Sequence, residues 1–269
     1  MGIHIALLGG DARQKYLADA LLQAGHEVST YSVPGLQNSG DIHRAELALL
    51  PVPAADPEGR IRGTGLMPRE AASLLSPAAT VIGGKIGAWK DIFPNAADCT
   101  EWETLAISNA VPTAEGALRL AMEAMPGTLQ GSRFLVIGAG RIGMCLARKL
   151  KALDGLVTVT ARKAKDRAAL QAMSIDVAAT GAYECGLGSF DCVFNTVPAA
   201  VFTPEQLRAL PKGCPMIELA SAPGGFTREA CEDAGLRYIS GAALPGRLTP
   251  KAAGEILARE VLRHLGFNV

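Results

Sequence analysis

Short apolar runs alternate along this chain with stretches in which apolar residues recur every third or fourth position. Runs at 3–8, 28–31, 46–52 and 80–82 predict buried parallel strands in the N-terminal part. Between the first two, Leu17, Leu21 and Leu22 share one helical face, and Gly25 closes that helix. Pro51 and Pro53 end the third strand, residues 53–65 read as a loop, and 101–110 as helical. Pro112-Thr113 then reads as a new helix start, with Thr113 as N-cap, running to Met125 and stopped by Pro126-Gly127.

The pattern resumes with an apolar run at 134–137, helical spacing of Met144, Leu146, Ala147 and Leu150, and a β-branched run from Val157. Strands at 175–178, 190–195, 215–220 and 236–240 follow, separated by helices at 165–173, 203–210 and 227–234. This count fits a six-stranded doubly wound sheet. A last helix starts at Thr249-Pro250, with Thr249 as N-cap and Pro250 at N1, and runs to about Leu265. Its stripe of Ile256, Leu257, Val261, Leu262 and Leu265 suits a return to the first domain. The predicted class is α/β: two Rossmann-like doubly wound domains with a cleft between them. Residues 1–112, completed by 250–269, form one domain, and 113–249 form the six-stranded dinucleotide-binding domain. Closure of the two domains about the helices 113–125 and 250–265 is the expected motion.

Composition narrows the partners. Lys plus Arg equals Asp plus Glu at 26 each, which argues against nucleic acid or an anionic membrane. No charged leader with a long apolar stretch opens the chain, and no apolar run reaches membrane-spanning length, so a cytoplasmic protein is expected. Cysteines at 99, 145, 185, 192, 214 and 231 form no Cys-x-x-Cys and read as reduced core residues, with no metal site. The four histidines are scattered and read as structural.

The chemistry concentrates at Gly138-Ala-Gly140-Arg141-Ile142-Gly143, placed between a strand and a helix as the dinucleotide fingerprint requires. Gly138 permits the tight turn, Gly140 admits a pyrophosphate to the backbone, and Gly143 lets helix and strand pack closely. The helix N-terminus supplies free N–H groups. At the end of the next strand, where NAD-binding proteins carry an acid, stand Thr160-Ala161-Arg162-Lys163. A guanidinium pairs well with a 2′-phosphate, so NADP is favoured over NAD; a solvated turn is the plain alternative for Arg162 and Lys163. Thr196, Val197 and Pro198, at a strand tip, are placed to line the cofactor.

In the first domain Gly9-Gly10-Asp11-Ala12-Arg13 joins strand to helix. It reads either as a turn presenting Arg13 to an anion or as an Asp cap beside a surface Arg. Gly84 and Lys85 sit at another strand end; Lys85 reads as a group reaching into the cleft or as an ordinary loop lysine. Ser221 and Pro245-Gly246-Arg247 are expected from the second domain, across the cleft. The substrate-binding set is then Gly10, Asp11, Arg13, Gly84, Lys85, Ser221, Pro245, Gly246 and Arg247. Lys85 is the one catalytic candidate, Lys251 a further cation, and no general base is identified.

Several segments together carry a family resemblance: Gly9-Gly-Asp-Ala-Arg-Gln14, Asn109-Ala-Val-Pro-Thr-Ala-Glu-Gly-Ala117, the fingerprint, Asn195-Thr-Val-Pro198, Glu218-Leu-Ala-Ser-Ala-Pro-Gly-Gly225 and Leu244-Pro-Gly-Arg-Leu-Thr-Pro-Lys251. Their order and spacing resemble the A subunit of dipicolinate synthase from endospore-forming bacteria, over about residues 3 to 265. Position 247, commonly apolar in that family, is Arg here. The resemblance implies NADP-linked oxidation of dihydrodipicolinate to dipicolinate, on the branch leaving lysine biosynthesis, in the mother cell of a sporulating bacterium. It also implies a second, flavoprotein-like subunit, and it is compatible with a homo-oligomer. Two other readings stay open: an NADP-dependent dehydrogenase of another small carboxylate, and a non-catalytic NADP-sensing regulatory subunit.

Overall fold

The computed structural model describes residues 2–181, 183 and 186–267. Cys185, one of the six expected core cysteines, lies outside the described residues. The chain divides into two compact units: Met1–Asn109 with Pro245–Val269, and Ala110–Leu244.

The first unit opens with β1 (His4–Leu8), α1 (Arg13–Gln23), β2 (Glu27–Tyr31) and β3 (Leu47–Leu49). It continues through α2 (Pro68–Leu74), β4 (Thr80–Gly83) and β5 (Ala96–Asp98) to α3 (Glu103–Ala124), which crosses the unit boundary. Its sheet has the order β2-β1-β3-β4-β5, and every ladder in it is parallel. The β1–β2–β3 core register aligns Ile5 with Val28 and Leu47, so apolar side chains stack across the sheet. Both faces are covered, which is why these strands read as unbroken apolar runs rather than alternating ones. The second unit contains β6 (Arg133–Ile137), α4 (Arg141–Ala152), β7 (Leu156–Thr160), α5 (Ala164–Ala172), β8 (Asp176–Ala178) and β9 (Cys192–Asn195). Then come α6 (Pro204–Arg208), β10 (Pro215–Glu218), α7 (Arg228–Asp233) and β11 (Arg237–Ser240). The sheet order β11-β10-β9-β6-β7-β8, all parallel, is that of a doubly wound dinucleotide fold, with its switch between β6 and β9. The chain closes with α8 (Leu244–Leu248) and α9 (Pro250–His264).

Several local expectations need correction. Thr113 does not start a helix: α3 runs unbroken from Glu103 with Pro112 inside it. Proline costs that helix one backbone bond, but Ala110, Ala114, Ala117 and Ala121 form a buried small-residue stripe that carries the helix through. Leu22 is exposed; the buried face of α1 is Gln14, Leu17, Ala18 and Leu21, one step round the helix. Thr249 does not cap α9, because its hydroxyl donates back to the Pro245 carbonyl at 3.3 Å. The short elements α2, β5 and α8 do not show in the pattern; three to seven residues carry too little periodicity to announce themselves.

Helix α9 packs on α1 and the β1–β3 face, burying Leu257, Ala258, Val261 and Leu262 beside Ile5, Leu7 and Leu17. Each large apolar side chain buried there is worth about 1.5–3 kcal/mol. A buried carboxylate fixes the helix further. Glu260 accepts hydrogen bonds from Ser108 Oγ at 3.2 Å and from Arg263 Nη1 at 3.0 and 2.9 Å. Burial alone would raise its pKa, but hydrogen bonds from Thr104 and Ser108 and the charge of Arg263 outweigh this and lower it below the ordinary 4.5. The stabilisation is therefore complete above that unfolded-state value and is lost as pH falls through the lower folded value. Glu260→Gln is expected to cost about 2 kcal/mol at neutral pH. Urea unfolding of both proteins across a pH series should show the gap shrinking below about pH 4.5.

Cys99, Cys192, Cys214 and Cys231 are free and buried. Burial pushes the thiols of Cys99, Cys214 and Cys231 up to about 12. Native protein treated with iodoacetamide near neutral pH should yield peptides unmodified at these four positions; alkylation there before unfolding would contradict the packing. No helix among the described residues is long and apolar enough to cross a membrane.

Candidate dinucleotide-binding site

The apolar strand β6 delivers the chain into Gly138, whose φ of +96° only glycine holds without strain. A Cβ there would lie 2.6 Å from Thr196 Oγ1, and a Cβ on Gly143 would lie 2.0 Å from the Gly138 carbonyl. These two glycines serve the fold: the turn, the β9 tip and the first turn of α4 are packed into one another. Gly140 differs. Its backbone, at φ −80° and ψ −171°, suits any residue, yet a Cβ there would meet nothing within 4 Å. It faces open space immediately before Arg141 opens α4, with the N–H groups of the first helical turn behind it. An open cradle at a helix N-terminus fits a pyrophosphate. Ile142 is half-buried and Arg141 exposed, both in that first turn.

The turn is braced from two sides. The Gly138 N–H donates to the Thr160 carbonyl at 3.1 Å and toward Thr160 Oγ1 at 3.3 Å. Thr196 Oγ1 donates to the Ile137 carbonyl at 2.8 Å. After Thr160, Ala161 is buried while Arg162 and Lys163 are exposed. Arg167, from α5, donates to the carbonyls of Ala161 and Arg162 at 3.1 and 2.7 Å and so holds the shape of this loop. No ion pair involves Arg162 among the described residues. Val197 is half-buried and Pro198 exposed beyond the β9 tip.

Two residues to which the sequence motifs assigned no role anchor this end of the sheet. Asn195 and Glu218 end β9 and β10, side by side in register, and both are buried. Asn195 Nδ2 donates to Glu218 Oε1 at 2.7 Å and to the Val197 carbonyl at 2.8 Å, while Asn195 Oδ1 accepts the Val197 N–H at 3.0 Å. The available sequence signal was a polar residue ending an apolar run in each of two neighbouring strands. Ser221, beyond β10, is exposed, and its carbonyl accepts from the Gly224 N–H at 3.0 Å.

In the first unit the Gly10–Arg13 turn is already paired with itself. Arg13 Nε and Nη2 donate to Asp11 Oδ1 and Oδ2 at 2.8 and 2.7 Å, a two-pronged ion pair, and Nη2 also donates to the Val52 carbonyl. Burial alone would raise the Asp11 pKa; the hydrogen bond and charge of Arg13 override it and hold the carboxyl below its usual range. Asp11 thus takes both prongs of this guanidinium and also accepts the Arg13 N–H at the start of α1. Pro245, Gly246 and Arg247 fall in this same unit, within α8, not opposite it. A Cβ on Gly246 would lie 3.1 Å from Arg13 Nε, so the glycine admits the ion pair. Gly84 is buried against Val52, and exposed Lys85 follows at φ +59°. That turn is held by Asp98, missed in the sequence, which accepts the N–H groups of Lys85 and Ile86, each at 3.0 Å. Its signal was the Asp-x-Thr pattern at 98–100, in which Asp98 also receives the Thr100 N–H at 2.9 Å. Lys251 makes only a loose exposed contact with Glu255 at 3.9 Å.

Among the described residues no group of His, Cys, Asp and Glu is arranged to hold a metal. A hollow of about 560 Å³ lies elsewhere in the second unit, lined by Met122, Leu129, Leu153 and neighbours; it includes none of the candidate residues.

The sheet order, the braced glycine turn and its open centre define an α/β protein of Rossmann-like fold, the fold that dehydrogenases share. A transhydrogenase from Sinorhizobium meliloti shares the fold at a TM-score of 0.70 and 15% identity, over 97% of this chain and 93% of that one. Within the class the likeness is specific: the chain is similar throughout to the A subunit of dipicolinate synthase. It is 29% identical over 280 residues to that protein of Bacillus subtilis (strain 168), covering 96% of this chain and 94% of the relative. The crystal structure of the same dipicolinate synthase subunit from Bacillus halodurans matches at a TM-score of 0.88 and 27% identity, over 100% of this chain and 99% of that one. No family model matches the chain.

Proposed function

We propose that this chain is an NADP-dependent oxidoreductase that converts dihydrodipicolinate to dipicolinate as one subunit of dipicolinate synthase, working with a flavoprotein-like partner subunit in the cytoplasm. The observation that carries the reading is the open cradle at Gly140, set in a chain whose whole length resembles the A subunit of dipicolinate synthase. Gly138, Gly140, Arg141, Ile142 and Gly143 would hold the pyrophosphate, Arg162 and Lys163 the 2′-phosphate, and Thr196, Val197 and Pro198 the nicotinamide half. The cofactor, when bound, supplies the hydride acceptor. The ring would give one hydride to that acceptor, release one proton to solvent and become a pyridine; aromaticity would supply much of the driving force. The protein's share is to hold a rigid dianion in a reactive pose.

For that dianion, Lys85 and Arg247 are the proposed charged contacts, with Gly10, Gly84, Ser221, Pro245 and Gly246 offering backbone or hydroxyl groups. Arg13 takes a supporting role, holding Asp11 and the Val52 carbonyl so that the Gly10 and Gly84 turns keep their shape. The same ion pair favours, as the second reading, the NADP-sensing subunit, because it removes one cation from the substrate set.

The test supplies the lysine-branch precursor and NADP to the purified chain, with and without its partner, and follows the ultraviolet absorbance of dipicolinate. Formation that requires this chain supports the enzyme. Formation by the partner alone at the full rate, with this chain only changing its regulation, supports the sensor.

A further inference from the structure

The geometry points to Glu218 as a positioning residue for the nicotinamide half of the cofactor, acting through Asn195. The inference rests on the dinucleotide reading above. Glu218 is buried and, among the described residues, bears three N–H donors and no cation: Asn195 Nδ2 at 2.7 Å and the Ala220 N–H at 2.9 Å on Oε1, and the Gly225 N–H at 2.8 Å on Oε2. A buried carboxylate is costly unless its oxygens are satisfied, so this arrangement is held for a purpose that an apolar residue at the end of β10 would not serve.

What the carboxylate does follows from the bonds. It accepts from the Asn195 amide, which fixes the amide's rotamer and tells its nitrogen from its oxygen. The fixed amide then grips Val197 at both backbone groups. Thr196, between them, ties the same turn to the Ile137 carbonyl, next to the fingerprint. The other Glu218 oxygen holds the Gly225 end of the loop that begins at β10. A Cβ on Gly225 would lie 2.5 Å from Asn195 Nδ2, so that loop presses on the amide from behind. One carboxylate therefore sets the tips of both strands that follow the fold's switch point, where a dinucleotide places its nicotinamide. The adenosine half meets β6, β7 and α4, which Glu218 does not touch.

This division supplies the test. Glu218→Gln removes the charge and must turn an NH₂ group either toward the Asn195 and Ala220 donors or toward the Gly225 N–H, so one of the two strand tips loses its anchor. Calorimetric titration with NADP and with 2′,5′-ADP, a fragment lacking nicotinamide, separates the halves. NADP affinity should fall about tenfold, the value of one lost charge-assisted hydrogen bond, while 2′,5′-ADP affinity stays within about twofold. Asn195→Ala should show the same split and serves if Glu218→Gln folds poorly. Equal losses for both ligands, or no loss of NADP affinity, overturn the inference. Wild-type protein that binds neither ligand overturns the cofactor reading itself, a distinct result.

Discussion

Gly140→Ala is expected to leave the melting temperature within about 2 °C of wild type and to weaken NADP binding by about 100-fold or more. The first half follows from the backbone: φ −80° and ψ −171° suit alanine, and the added methyl touches nothing within 4 Å. The second half follows from what the space is for. A methyl group at the centre of the turn keeps the pyrophosphate off the N–H groups of α4, and losing two charge-assisted hydrogen bonds costs roughly 3 kcal/mol. Gly143→Ala is the contrasting variant. Its Cβ would lie 2.0 Å from a backbone carbonyl, so the helix must move off the strand and stability must fall. Thermal melts and calorimetry on the pair separate fold from function. A Gly140→Ala protein that binds NADP normally would remove the pyrophosphate from this turn.

Arg162→Ala is expected to erase most of a preference for NADPH over NADH. The loop after β7 carries Arg162 and Lys163 exposed, while Arg167 donates to the Ala161 and Arg162 carbonyls. The loop is thus built by a different arginine, and removing the Arg162 side chain leaves its shape intact. One charge-assisted contact pair to a 2′-phosphate is worth about 1–3 kcal/mol, a preference of roughly 5- to 150-fold in wild-type protein. The preference should weaken with added salt, since the contact is exposed. Equal affinities of the wild-type protein for the two reduced cofactors would sink the NADP assignment and leave the dinucleotide site standing. An Arg167→Ala variant that lost affinity for both cofactors would confirm that the two arginines divide shape from recognition.

The glycine-rich turn of the second unit was legible in the sequence because glycine there answers backbone demands that no other residue meets. Gly138 and Gly143 are dictated by contacts a Cβ would break, and such demands leave an unmistakable spacing. The count of six strands was readable for a similar reason, since strands buried on both faces leave continuous apolar runs. Pro112 misled because a proline at a helix start and a proline inside a helix look alike locally; the deciding factor, the alanine stripe of α3, is a matter of packing. Arg13 stayed open between two readings. A Gly-Gly-Asp-x-Arg turn shows a cation at a helix start, but whether its fork faces a ligand or the neighbouring Asp11 depends on side-chain geometry that spacing does not encode. Asn195 and Glu218, though part of the segments that carry the resemblance, were given no role, and Asp98 was not singled out, because each works through hydrogen bonds to neighbouring strands and loops that no local motif announces.

If this chain binds the nicotinamide cofactor that accepts hydride from dihydrodipicolinate, reduction of that cofactor and aromatisation of the ring must run together. The most direct measurement follows reduced-nicotinamide absorbance and dipicolinate absorbance together in a single reaction of this chain with its partner, the precursor and NADP. One NADPH is expected for each dipicolinate formed, with Gly140→Ala suppressing both signals in parallel. Dipicolinate appearing at an undiminished rate without any NADPH, or with Gly140→Ala as active as wild type, would contradict it.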